Sequence, residues 1–206
     1  MNTMKKSIFA FSLILGLLFS LSVSAFAADA KTSDKANTAE VTEFNWEDFE
    51  KVVEKNEIEG NTYTLNAVTA QFWVPSILSQ VELTDEDAEN GVICYFHDGD
   101  KDEYGFFVTY VDGKGATLEK LAEEIGKDNT YTDLEKLKIN GLDAIAYSEV
   151  DKEMNVTFQH VSFVTDDGYI MTFSYWDMAD EGYQELVVIM VSSIQPDETE
   201  EASAAA

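Results

Sequence analysis

Asp98, Asp100 and Asp102 alternate along one short stretch of this 206-residue chain, and carboxylates at every second residue can wrap a hard cation such as calcium. A helix-loop-helix calcium loop would want glycine where Glu103 stands and a bidentate glutamate where Thr109 stands. Both are missing, so the stretch reads first as a solvated turn that blunts aggregation, with weak Ca2+ binding as the alternative. A second acidic run, Glu82, Asp85, Glu86, Asp87 and Glu89, reads as a hydrated loop. No cofactor is expected.

Cys94 and His97 suggest a metal pair, but three residues apart on a strand they point to opposite faces. His160 lies an even step from Phe158 and Ser162 in another strand and reads as a satisfied or half-exposed histidine. The chain lacks Gly-x-Ser-x-Gly and Ser-x-x-Lys, and its one cysteine sits in an apolar strand where thiols are inert. A hydrolase would have to use carboxylates such as Asp177 or Glu181, after the last strand, as acid and base. Most of the many rings must be core. Trp73, Tyr110, Tyr175 and Trp176, near strand ends, are the ones expected to line a groove that stacks on a sugar or peptide.

Charge and compartment frame these candidates. Lys5 and Lys6, the apolar run from Ile8 to Val23 and small residues ending at Ala27 have the order of an export signal, so residues 1–27 read as a cleaved leader. The run approaches bilayer length, which leaves retention as an anchor as the alternative to cleavage. Ala28 stands where a lipid-bearing cysteine would have to be. The protein is therefore expected to be secreted, with no membrane span once the leader is removed. Loss of Lys5 and Lys6 takes the formal charge from −27 to −29, and no arginine occurs anywhere. Such a field repels nucleic acid and anionic lipid. A single cysteine excludes an internal disulfide, so stability must come from an ordinary core.

Residues 28–43 are small and polar and read as a flexible linker; residues 196–206 read as a disordered acidic tail. The 44–195 segment between them is long enough for one domain. Its first element is a helix after Asn45, closed by Gly60. Extended runs follow from Tyr63 to Val68 and from Ala70 to Val74. Two strands flank Asp98-Gly99, and Leu118, Leu121, Ala122 and Ile125 mark a helix ended by Gly126. Asn140-Gly141 and Asp166-Asp167-Gly168 then punctuate a four-strand meander. Tyr183, Leu186, Val187, Met190, Val191 and Ile194 give one face of a closing helix.

The Phe72-Trp73-Val74-Pro75 segment, the mid-chain Thr117-Leu118-Glu119 helix, the Asn-Gly hairpin with Ala144 and Tyr147 beyond it, and the Val191-Ser192-Ser193-Ile194 ending together resemble the PsbP-like superfamily over 63–195. That family includes many secreted bacterial proteins of unknown role. The resemblance implies an α+β fold, an antiparallel sheet of six to seven strands flanked by helices, and no activity or site residue. The reading is a secreted, non-enzymatic, monomeric domain that binds a protein or cell-surface ligand through an acidic face. An envelope-directed hydrolase and a calcium-dependent surface protein are the alternatives.

Overall fold

A computed structural model describes residues 41–65, 67–99, 104–152, 156–176 and 180–196. The hairpin turns read from the sequence set its centre. Strands β7 (Tyr131–Ile139), β8 (Leu142–Asp151), β9 (Val156–Val164) and β10 (Tyr169–Trp176) form an antiparallel meander. Asn140 and Gly141 adopt φ of 47° and 83°, the left-handed pair that a tight hairpin demands. On the far side of β10 the sheet continues through β6 (Gly105–Asp112), β5 (Val92–His97) and β4 (Ser79–Gln80). At the other edge β1 (Thr42–Phe44) pairs parallel with β7.

The main sheet thus has eight strands in the order β1-β7-β8-β9-β10-β6-β5-β4, more than the six or seven expected. Both additions are short edge strands, two and three residues long, too brief to show a period of two. Thr42 and Glu43, read as linker, belong to the first of them. A second correction concerns β2 (Gly60–Leu65) and β3 (Ala70–Pro75). They pair with each other, and β3 also pairs with β11 (Gln195–Pro196), in a separate three-stranded sheet.

Four helices complete the described residues: α1 (Trp46–Lys55), α2 (Asp85–Glu89), α3 (Leu118–Lys127) and α4 (Glu181–Ser192). The segment read as an acidic loop contains α2, because Thr84 and Asp87 cap each other's backbone in a capping box. Gly126, read as a stop, lies inside α3, which ends at Lys127 with Asp128 as its C-cap. α4 is apolar nearly all round, with Val187, Ile189, Met190 and Val191 buried, and it packs on β3 and α1. Together α4 and the small sheet cover one face of the main sheet with a single core.

Asn140 does more than turn the chain. Its Oδ1 accepts from the Trp46 backbone N–H at 2.7 Å, and its Nδ2 donates to the carbonyls of Ser192 (2.7 Å) and Ile194 (2.8 Å). One side chain therefore ties the β7–β8 turn to the start of α1 and the end of α4. Asn140→Gly keeps the turn conformation and loses three part-buried hydrogen bonds, so it is expected to cost about 2 kcal/mol in urea unfolding. Wild-type stability in that variant would mean the clip carries no load.

Candidate functional site

Alternation along the strands sorts side chains to two faces. Met171, Phe173 and Tyr175 point at the core, while Ile170, Thr172, Ser174 and Trp176 point the other way. On that second face α3 covers only the β7–β8 end, where Leu118, Leu121, Ala122 and Ile125 pack on Ile145 and Tyr147. The other described helices pack elsewhere, α4 on β3 and α1, and α2 beside β5.

Among the described residues, what remains open is a row of half-buried rings across β9, β10, β6 and β5: Phe158, Trp176, Phe107 and Tyr95, with His97 beside them. Register places them. Trp176 stands opposite Phe158 on one side and Gly105 on the other, and Phe107 stands opposite Tyr95. Trp176 lies 5.5 Å from Tyr95 and 6.4 Å from Phe107, between ring centres. Gly105 makes this possible. A Cβ there would come within 2.6 Å of the indole, and closer still to the Phe96 carbonyl oxygen, so only glycine lets the ring reach across β6.

Beneath Trp176 runs a polar row that the sequence did not reveal. His160 Nδ1 lies 2.9 Å from Ser174 Oγ, and His160 Nε2 lies 3.3 Å from Glu149 Oε2. The Tyr147 hydroxyl meets Ser162 at 3.1 Å, and Ser162 meets Thr172 at 2.8 Å. Serine, histidine and carboxylate in line invite comparison with a nucleophilic triad. Three features argue against that chemistry. Ser174 is 3% exposed, so a carbonyl substrate cannot reach its oxygen. β10 is paired on both sides, which commits its N–H groups to the ladders and leaves no donor pair for an oxyanion. Burial holds the His160 pKa at about 4, too low for an efficient base near neutrality. The neutral ring makes no ion pair with Glu149, and Nε2 lacks hydrogen-bond alignment despite the short distance. The row is a buried polar network that links β8, β9 and β10 beneath the rings.

The four aromatic residues picked from the sequence are not brought together. Trp73 is 7% exposed, packed on Trp46 at 6.3 Å, with its backbone N–H donating to Ser193 Oγ. Tyr175 is fully buried against Phe106, and burial drives its pKa well above the usual tyrosine value. Tyr110 stacks on Tyr169 at 4.9 Å on the core-facing side. Only Trp176 belongs to the open row. Tyr175 and Trp176 are neighbours and must face opposite ways. Phe158, Phe107 and Tyr95 were missed as partners, since only cross-strand register joins them to Trp176.

Asp98 lies just past the end of β5, while Asp100, Asp102 and Asp177 lie outside the described residues. Glu181 opens α4 and is exposed. Among the described residues no three His, Cys, Asp or Glu side chains converge as metal ligands. Cys94 and His97 do face opposite sides, Cys94 in the core and His97 on the open face. Burial pushes the Cys94 thiol up to about 12. The native protein is accordingly expected to resist a thiol reagent at about pH 8 and to react fully once denatured; rapid native labelling would contradict the packing of β5. Among the described residues no helix is long and apolar enough to cross a membrane.

Comparison with solved structures finds similar folds. The solution structure of the cyanobacterial PsbP protein CyanoP from Synechocystis sp. matches with a TM-score of 0.48 at 13% identity, over 68% of this chain and 93% of that one. A Bacteroides thetaiotaomicron protein matches with a TM-score of 0.48 at 13% identity, over 69% of this chain and 50% of that one. LpqN, involved in cell envelope biogenesis of Mycobacterium tuberculosis, matches with a TM-score of 0.44 at 9% identity, over 71% of this chain and 95% of that one. At these identities each match is a likeness of architecture and assigns no role. No protein-family model matches the chain. No curated protein matches it either.

Proposed function

We propose that this is an exported, non-catalytic binding domain that holds its ligand on the open sheet face around Trp176. The carrying observation is the ring row itself: four half-buried aromatics from four strands, placed by register on the face that α3 leaves uncovered. Rings committed to the core lie on the opposite face, so this row does not serve the main core. Rigid strands, with a hydrogen-bonded row beneath, hold the platform in shape without a ligand. The export-like order of residues 1–27 supports work outside the cytoplasm.

Retention on the producing organism's own surface and secreted material tests the reading. Wild-type protein is expected to be retained, and Trp176→Ser to lose most of that retention while still unfolding as one cooperative, folded domain. Equal retention of both proteins would sink it. Ester and glycoside substrates are expected to give no turnover above that of Ser174→Ala. A chelator is expected to leave the melting temperature in place, whereas a clear drop would favour calcium-dependent assembly through Asp98, Asp100 and Asp102.

A further inference from the structure

We infer that the Trp176 face takes a positively charged segment of a protein partner, a lysine- or arginine-rich peptide laid across β9, β10, β6 and β5. The inference rests on the proposed binding face and adds the chemistry of its occupant. Two independent observations select a cation.

The first is the rings. Tyr95, Phe107, Phe158 and Trp176 each keep part of their surface exposed. The negative face of an aromatic ring attracts an ammonium or guanidinium group within about 6 Å, best of all for tryptophan, by roughly 0.5–2 kcal/mol per contact. The second is the charge around them. The chain carries a formal charge of −27. Glu149 and Asp151, on the same face near the end of β8, and Asp98, just past the end of β5, bracket the row on both sides.

Other occupants fare worse by the same physics. Nucleic acid and anionic headgroups meet repulsion, and a second copy of this chain brings charge of the same sign. A neutral glycan gains from the rings and nothing from the field. A basic peptide gains from both: the field speeds its arrival, and the rings hold its side chains once docked.

The test is a titration of 15N-labelled protein, followed by amide shifts, with three probes: a lysine-serine dodecapeptide, its glutamate-serine counterpart and a neutral chitin oligosaccharide. The expected result is that only the basic peptide shifts the amides around Tyr95, Phe107, Phe158 and Trp176. Its affinity should fall at least about tenfold between ~20 and ~300 mM NaCl as the charges are screened. Trp176→Ala, checked for an unchanged fold by its spectrum, should weaken binding by a further tenfold or so. Basic-peptide shifts scattered over the acidic surface, sparing these strands, would overturn the inference, as would silence from the basic peptide at low salt. Shifts at these amides with the oligosaccharide alone would overturn the cationic partner while upholding the face as the binding surface.

Discussion

Phe72→Ala is expected to cost about 3–5 kcal/mol in urea unfolding, the largest loss of any single truncation considered for this protein. Phe72 sits in the middle of the small sheet and is 1% exposed. Its ring meets Phe106 at 5.7 Å and Phe173 at 5.2 Å, both edge-on, and Tyr63 at 5.8 Å. Phe106 and Phe173 belong to the main sheet, so this ring joins the two sheets. Removing it leaves a void walled by aromatic side chains already fixed by their own strands, and a site that cannot collapse bears the full cavity cost. Against a typical domain stability of roughly 5–15 kcal/mol, such a loss is a large share of the total. Phe107 is the internal control. It lies one residue from Phe106 on the open face and is only half-buried. Phe107→Ala should cost about 1 kcal/mol. If the two variants unfolded at the same denaturant concentration, the assignment of faces in β6 would be wrong.

That pair also shows what could be read in advance. Turns are local: Asn140-Gly141 and Gly168 take the positive φ their residue types favour, so the meander from β7 to β10 is legible. The closing helix is local too, since its apolar positions repeat within a few turns. Pairing between distant strands is not. β10 meets β6 across an intervening helix and three strands, and Trp176 joins Phe107 and Tyr95 only through that register. A list of aromatic residues near strand ends therefore picks one member of the row and three residues from elsewhere. The small sheet hides for the same reason. β2 and β3 alternate like any strands, and nothing in their own residues says which sheet they join. The reach of Asn140 to Trp46 and Ile194 spans separations of 94 and 54 residues, beyond any local pattern. The polar row was hidden likewise, with Glu149, His160 and Ser174 on three different strands.

The same row gives the second large effect, a loss of stability in mild acid. His160 is 8% exposed, and burial lowers its pKa from 6.5 to about 4 in the folded state. Between those values the unfolded chain binds a proton that the folded chain refuses. Stability must then fall as pH drops through this window, by about 1.4 kcal/mol per pH unit, and level off below the folded value. Over the whole window the loss is about 3 kcal/mol. One neighbour opposes it. Glu149, 3.3 Å from Nε2, would favour the protonated ring, but its side chain is 33% exposed and its charge is screened by water. The other groups against the imidazole, Tyr131, Tyr147, Phe158 and Ser174, do not titrate in this range. The chain's many carboxylates also respond to acid, and their contribution is removed by comparison with His160→Gln, which keeps them all. Urea unfolding of both proteins from about pH 7.5 to pH 4 should show the stability difference between wild type and variant shifting by about 3 kcal/mol toward the variant. A shift of the opposite sign would mean that the pair with Glu149 outweighs burial, and that His160 is charged where the packing requires it to be neutral.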